Sequence, residues 1–412
     1  MTRPELLAPA GGMSQLKAAI RFGADAVYGG MDRYGLRAGA TNFTDAELAE
    51  ATRYAHERGK RFYVTLNLLP FDRDMTGFVD AARVALDAGV DAAIVSDLGA
   101  ALTLRAQLPA LELHISTQAN VLNTPPALHY HQVVGAKRVV LSRELSLADI
   151  CAMRNALPDT LELEAFVHGA MCVSYSGRCL LSAALVGRSA TRGACSQPCR
   201  WHYHITEDKR PDQSMPMIED DRNTYVLSAR DLCMLPHLPE LLDAGIASLK
   251  IEGRMKTAYY VATVVSAYRR ALDLLLTDGE AAYRAAVPSL LTELGKASHR
   301  ASNTGFYFGD PTPPANAAGF EQSMEFVGEV LTDAAPDQPA LIQLKNRFFV
   351  GDPLELLTPS GFKPYTPAAI QLADTAEYVD TAGVAGTRLY LRFPFPVGAG
   401  DLLRGPNRNH RT

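Results

Sequence analysis

The sequence predicts an α/β protein: a (β/α)8 barrel of the TIM type with a cysteine-rich insertion, followed by a small C-terminal β-barrel domain. One phrase recurs along the first three-quarters of the chain, a helix ending at Gly and then a short apolar run. Eight such runs can be counted between residues 5 and 253. From about residue 325 the pattern turns to short alternating segments punctuated by Gly and Pro. The 412-residue length suits one barrel of about 250 residues with a smaller partner.

The phrase is clearest at Phe22-Gly-Ala-Asp-Ala-Val-Tyr28 and Ala88-Gly-Val-Asp-Ala-Ala-Ile-Val95. Weaker copies are Gly135-Ala-Lys-Arg-Val-Val-Leu141 and Gly245-Ile-Ala-Ser-Leu-Lys-Ile251. A Gly at that point ends a helix in a left-handed conformation. An apolar run free of alternation reads as a strand covered on both faces, as parallel strands are. The strands are expected at 5–9, 26–30, 62–67, 92–97, 112–117, 138–142, 161–168 and 248–253, with helical periodicity between most of them, as at Asp45–Arg58 and Phe78–Ala88. An open doubly wound sheet would call for a Gly-rich phosphate turn after the first strand. Pro9-Ala-Gly-Gly12 imitates one poorly, so the barrel is preferred.

The domain limits follow from these breaks in pattern. Residues 1–310 form the barrel, with the insertion at 169–247. Residues 311–322 are a linker, in a stretch whose Asp310–Gly319 portion is rich in Pro and Ala. Residues 323–412 form the C-terminal domain, with strands expected at Phe326–Leu331, Ala340–Lys345, Asp352–Thr358 and Arg388–Phe393. Thr257–Leu276 reads as an amphipathic helix closed near Gly279.

Hydrophobic residues make up 47% and charged residues 21%, an ordinary globular balance, and the net charge of −5 argues against a surface coated with positive charge. Pro4, Glu5 and Pro9 interrupt the apolar N-terminus, and no run of about 18 apolar residues occurs. Neither a secretory leader nor a membrane span is expected, and the cytoplasm is the expected location.

Five of the six cysteines fall between Cys172 and Cys233. In a reducing compartment, clustering points to a metal site or catalysis rather than disulfides. Cys172, Cys179, Cys195 and Cys199 are spaced C-x6-C-x15-C-x3-C. Zinc folds usually present two tight pairs and only the second pair here is tight, so a 4Fe–4S cluster is preferred to structural zinc. Cys233 is an alternative fourth ligand, and Cys151, in the apolar helical stretch Ile150–Met153, reads as a packing residue. The insertion is locally basic, with Arg178, Arg188, Arg192, Arg200, Lys209 and Arg210, and Trp201 stands beside Arg200. Arginines with an interleaved aromatic can take phosphates and stack a base. Arg404, Arg408 and Arg411 add a basic tail.

Several strands end in polar groups: Asn67, Asp97, Ser116-Thr-Gln118, Ser142-Arg-Glu144, Glu164 with His168, and Lys250-Ile-Glu-Gly-Arg254. In a barrel these ends converge on one mouth. Alternation places Lys250 and Glu252 on the inward side. We read Arg143, Lys250 and Arg254 as receivers of an anionic small molecule, with Gln118, Glu164 and His168 nearby; the competing reading of Lys250 is a structural salt bridge. The pairs His129-x-His131 and His202-x-His204 are read as non-metal. The chain has no H-E-x-x-H or G-x-S-x-G motif and no convincing Cys–His dyad.

The stretch Glu164–Ser182 resembles the signature of peptidase family U32, the collagenase-like family. So do Glu5-Leu-Leu-Ala-Pro-Ala-Gly11, Gly23-Ala-Asp-Ala-Val-Tyr28 and Ser248-Leu-Lys-Ile-Glu-Gly-Arg254. Gly193–Trp201 and the C-terminal β domain look most like the family's tRNA 5-hydroxyuridine synthesis branch. That resemblance implies oxygen-independent hydroxylation of the tRNA wobble uridine to 5-hydroxyuridine. It implies prephenate, a small dicarboxylate, as hydroxyl donor, and a 4Fe–4S cluster on Cys172, Cys179, Cys195 and Cys199. Sister branches imply the alternatives of a ribosomal RNA cytidine or a quinone precursor as substrate, and the family name implies a collagenase-like peptidase. Combined with the strand-end residues, the expected catalytic groups are Glu164, His168, Lys250 and Glu252. The expected substrate-binding groups are Gln118, Arg143, Arg178, Arg200, Trp201 and Arg254.

Overall fold

The computed structural model describes residues 3–37, 39–172, 174–201, 229–309 and 320–408, together with the backbone of four short strands between 205 and 224. Eight parallel strands close a barrel: β1 (Glu5–Ala10), β2 (Ala26–Gly30), β3 (Arg61–Leu66), β4 (Ala92–Val95), β5 (Leu113–Ile115), β6 (Arg138–Val140), β7 (Glu162–Ala170) and β8 (Ser248–Ile251). Each pairs with its neighbours in order, and β8 pairs with both β7 and β1. All eight expected strands are present, shifted by no more than a few residues. Gly89 and Gly245 adopt φ of 80° and 74°, the left-handed helix ends that the repeated phrase predicts.

The helices cover the outside of the barrel. Thr44 caps Asp45–His56 through a reciprocal pair with Glu47, and Thr257 caps Ala258–Asp273. The main core lies between strands and helices and includes Leu6, Val27, Val64, Leu113, Val139, Leu249 and the apolar face of Ala258–Asp273. A smaller apolar cluster, Leu7, Ala26, Tyr28, Tyr63, Ala92 and Ile94, lies apart from it. Cys151 is exposed on the helix Leu147–Ala156 rather than packed, because that helix buries Ile150 and Met153 instead.

β7 outlasts the other strands. Its end pairs antiparallel with Asp231–Cys233, which pairs in turn with Ser302–Asn303. The insertion therefore leaves and rejoins the barrel at adjacent points, Ala170 and Asp231. One irregularity matters for the site. Lys250 pairs with Phe166 but Ile251 pairs with His168, so Val167 is an extra residue, a β-bulge.

The C-terminal region is an eight-stranded antiparallel sheet. In order across the sheet its strands are Gly361–Tyr365, Leu354–Thr358, Leu402–Pro406, Met324–Val330, Pro339–Leu344, Arg388–Arg392, Ile370–Leu372 and Tyr378–Val379. It has its own core, including Ile342, Leu356, Leu389 and Leu403. Arg404, expected in a basic tail, is instead fully buried where this sheet meets the barrel. It pairs with Glu293 and, at 2.7 Å, with Glu355, which also receives Lys296 at 2.9 Å. Arg408 pairs with Asp352. The linker stretch Asp310–Gly319, His202 and His204, the side chains of Lys209 and Arg210, and Arg411 lie outside the described residues. No helix among the described residues is long and apolar enough to cross a membrane.

Candidate functional site at the barrel mouth

A cavity of about 980 Å³, open to solvent, sits over the C-terminal ends of the strands. Its floor comes from strand ends: Tyr28, Thr65, Phe166, Lys250, Glu252 and Arg254. Gln118 and Arg143 form one wall, from the loops after β5 and β6. Arg37, from the loop after β2, stands opposite. Cys172, Cys179, Cys195 and Cys199 all line it from the insertion.

Beneath the floor lies a buried ion network. Lys250 Nζ donates to Glu164 Oε1 at 2.7 Å. Arg138 Nη1 donates to Glu164 Oε2 at 3.0 Å and to Glu5 Oε1 at 2.6 Å, and its Nη2 donates to Glu162 at 2.6 Å. Tyr63 and Ser248 hydroxyls also donate to Glu5. Burial alone would raise the pKa of Glu164; Lys250 and Arg138 more than reverse this and hold it at about 2. Lys250 is thereby held from below, with its Nζ 4.4 Å from the Tyr28 ring centre. It both forms a salt bridge and lines the cavity.

Arg254 is anchored by Thr65 Oγ1 at 3.0 Å and by the Leu36 carbonyl. Burial, with Arg37 beside it, lowers its pKa to about 10, so it remains a cation at neutral pH. Glu252 is reached by Arg37 at 3.4 Å; burial would raise its pKa, but Arg37 and Arg254 hold it below the usual carboxylate value. Two buried polar atoms on the facing wall, Arg143 Nε and Gln118 Oε1, have no hydrogen-bond partner among the described residues. Buried polar groups are ordinarily satisfied, so such a pair in a cavity wall marks a place for a polar ligand.

The sulfurs share a local pattern. The amides of Ser174, Leu181 and Gln197 point at Cys172, Cys179 and Cys195 Sγ, each two residues earlier, at 3.3–3.4 Å. Burial raises the pKa of Cys199; Arg200 opposes this, and the other three thiols add to the rise. Cys233 is buried away from this group, beside Tyr268.

The remaining expected site residues stand elsewhere. Glu164 supports Lys250 rather than lining the cavity. His168 points out of the barrel, because the bulge at Val167 puts it opposite Ile251 instead of one step further inward. Its ring packs on Tyr268 and Tyr260, with centroids at 5.5 and 6.2 Å, and burial lowers its pKa to about 4. Arg178 Nε holds the Gln118 carbonyl at 2.8 Å, Arg200 reaches the Met171 carbonyl at 3.4 Å, and Trp201 is 40% exposed outside the cavity. Among the other polar strand ends, Asp97 caps the helix Leu98–Gln107 and Glu144 fixes the insertion's turn through the Ser176 amide at 2.8 Å. Sequence reasoning did not single out Arg37, Tyr28 or Phe166. Arg37 follows the end of β2, and that position was the available signal.

Comparison with known proteins gives a consistent picture. Residues 11–316 match the sequence model of peptidase family U32, and residues 322–404 match the peptidase family U32 C-terminal domain. The Escherichia coli "tRNA hydroxylation protein P" is 36% identical over 404 residues, 88% of this chain and 87% of that protein. The Bacillus subtilis "tRNA hydroxylation protein P1" is 38% identical over 367 residues, 87% of this chain and 84% of that protein. The Escherichia coli "23S rRNA 5-hydroxycytidine C2501 synthase" is 39% identical over 279 residues, 67% of this chain and 40% of that larger protein.

Proposed function

This chain belongs to peptidase family U32, and from that premise we propose that it is a tRNA hydroxylase that converts the wobble uridine to 5-hydroxyuridine. In this reading a small dicarboxylate, with prephenate the candidate, is the co-substrate in the barrel mouth. The observation that carries it is the cavity itself: four cysteines face a wall and floor of Arg143, Lys250 and Arg254, with Arg143 Nε and Gln118 Oε1 buried and unpartnered. Charge-assisted hydrogen bonds from these cations suit carboxylates. Two relatives matched over more than four-fifths of their length are named for tRNA hydroxylation.

The residues present fit a 4Fe–4S cluster. The four thiols line one cavity, and three accept backbone N–H···S contacts of the kind that surround cluster sulfurs. Their C-x6-C-x15-C-x3-C spacing, with only the second pair tight, favours a polynuclear group over zinc. Cys172, Cys179, Cys195 and Cys199 would hold the cluster, which when bound supplies one-electron or Lewis-acid chemistry beside the anion site. The protein's own groups bind and orient. Glu164, itself held by Arg138, positions the Lys250 Nζ, Arg254 is fixed by Thr65 and the Leu36 carbonyl, and Glu252 is held ionised between Arg37 and Arg254. The mouth lacks a nucleophile–histidine pair among the described residues, since His168 faces outward and His114 lies below, bonded to Glu112 at 2.9 Å. This speaks against the collagenase-like reading.

The test is nucleoside mass spectrometry of bulk tRNA from cells with and without the gene, in a background lacking any redundant pathway. Loss of 5-hydroxyuridine and its derivatives is expected. Unchanged tRNA refutes the assignment. For the cluster, Cys172→Ala should lose bound iron and activity together; full activity without iron refutes it.

A further inference from the structure

A second groove, of about 1880 Å³ and open to solvent, runs down the flank of the barrel, with the C-terminal sheet as its other wall. Its lining includes five cations, Lys17, Arg21, Arg58, Lys60 and Lys345, and a single carboxylate, Glu329. In a chain of net charge −5 this is a local reversal of sign. Two of the cations are committed: Arg21 to Asp401 at 2.6 Å and Lys60 to Asp25 at 3.6 Å. Three are freer. Lys17 and Arg58 flank the Tyr54 ring at 5.6 and 3.6 Å, Arg58 donates to the Tyr54 carbonyl at 3.1 Å and meets the exposed Glu57 at 3.5 Å, and Lys345 donates to the neutral Gln343 at 2.9 Å.

The groove's direction ties it to the mouth. At one end are Ser14 and Ala258, just past the C-terminal ends of β1 and β8. At the other are Arg21 and Lys60, just before the starts of β2 and β3. The groove's upper end therefore lies on the face of the barrel at which the mouth opens.

We propose that this groove holds the phosphate backbone of the RNA substrate away from the nucleotide being modified. The inference rests on the hydroxylase reading and adds to it a second contact region built jointly by the barrel and the C-terminal sheet. Cations here give affinity and register, not sequence choice, and neutralising phosphates releases counterions.

The experiment compares wild type with K17A/R58A/K345A by fluorescence anisotropy, from 50 to 200 mM salt. The ligands are a full-length tRNA transcript and its isolated anticodon stem-loop. For full-length tRNA, the slope of log Kd against log salt should become shallower by about three, roughly one for each lost contact. Stem-loop binding should not change, and K17R/K345R should keep the wild-type slope. Should the triple variant fail to fold, K17A and K345A singly, each expected to flatten the slope by about one, carry the test. An unchanged slope on full-length tRNA, or an equal loss on the stem-loop, overturns the groove alone. Wild-type protein that binds neither RNA overturns the groove and the hydroxylase reading together.

Discussion

Replacing Glu164 with Gln keeps the size of the side chain and removes its charge. The carboxylate is wholly buried and accepts from both Lys250 and Arg138. Its pKa falls from 4.5 to about 2 in the fold. At ~1.36 kcal/mol per unit, this corresponds to about 3 kcal/mol of stability at neutral pH. The general cost of breaking one side of a buried ion pair, about 3–5 kcal/mol, agrees. A carboxylate with a depressed pKa contributes fully above its unfolded pKa and loses that contribution as pH falls through the folded value. The gap between wild type and E164Q in urea denaturation should therefore be about 3 kcal/mol at pH 7, begin to close below about pH 4.5, and vanish near pH 2. A gap under about 1 kcal/mol at pH 7, or one that ignores pH, refutes the reasoning. The double variant E164L/K250M should recover much of the loss, because an apolar pair of similar volume leaves no uncompensated charge. If the double is no better than the single, the deficit comes from packing.

Three further outcomes follow from the same geometry. Arg143→Met should raise the KM for the dicarboxylate about 10–100-fold, the equivalent of one charge-assisted hydrogen bond, with melting temperature unchanged; titration calorimetry with the dicarboxylate alone checks it. A Cβ at Gly30 would overlap the Arg254 guanidinium, so Gly30→Ala should lose dicarboxylate affinity while retaining a folded circular-dichroism spectrum. The buried neutral His168, with its pKa near 4 in the fold against 6.5 in model peptides, should make wild-type stability drop as pH falls from about 6.5 toward 4. His168→Gln should flatten that part of the pH–stability curve, and neither protein should show a kinetic step from this residue between pH 5 and 8.

The barrel was legible because each of its units announces itself locally. A Gly that must take positive φ ends the helix, and an unbroken apolar run follows it, as at Gly89 and Gly245. The cysteines and the cations Arg143, Lys250 and Arg254 were legible because strand ends in this fold face one mouth. Alternation failed at His168. One extra residue at Val167 turns a side chain outward, and nothing in the local sequence marks a bulge whose register is set by the opposing strand. Glu164 was placed at the mouth for a related reason: sequence gives its side of the strand but not its depth, and Arg138, three residues after Gly135, gave no sign that it would reach Glu5 and Glu164 inside the barrel. Arg404 looked like tail charge, because its partners Glu293 and Glu355 come from distant parts of the chain.

The pairing of Ala170 with Asp231 has a consequence for how this protein can change over time. The segment between them begins and ends at neighbouring backbone positions, so the barrel strands hold its two ends side by side, and its further anchors, among them Arg178 on the Gln118 carbonyl and Ser176 on Glu144, come from barrel loops. For a tether closed in this way, doubling its length costs only about 0.6 kcal/mol in closure entropy. Descendants can therefore lengthen, shorten or re-equip the cysteine-bearing segment while the eight strands below keep their spacing and charges. The chemistry above the mouth can be replaced without redesigning the vessel that holds it.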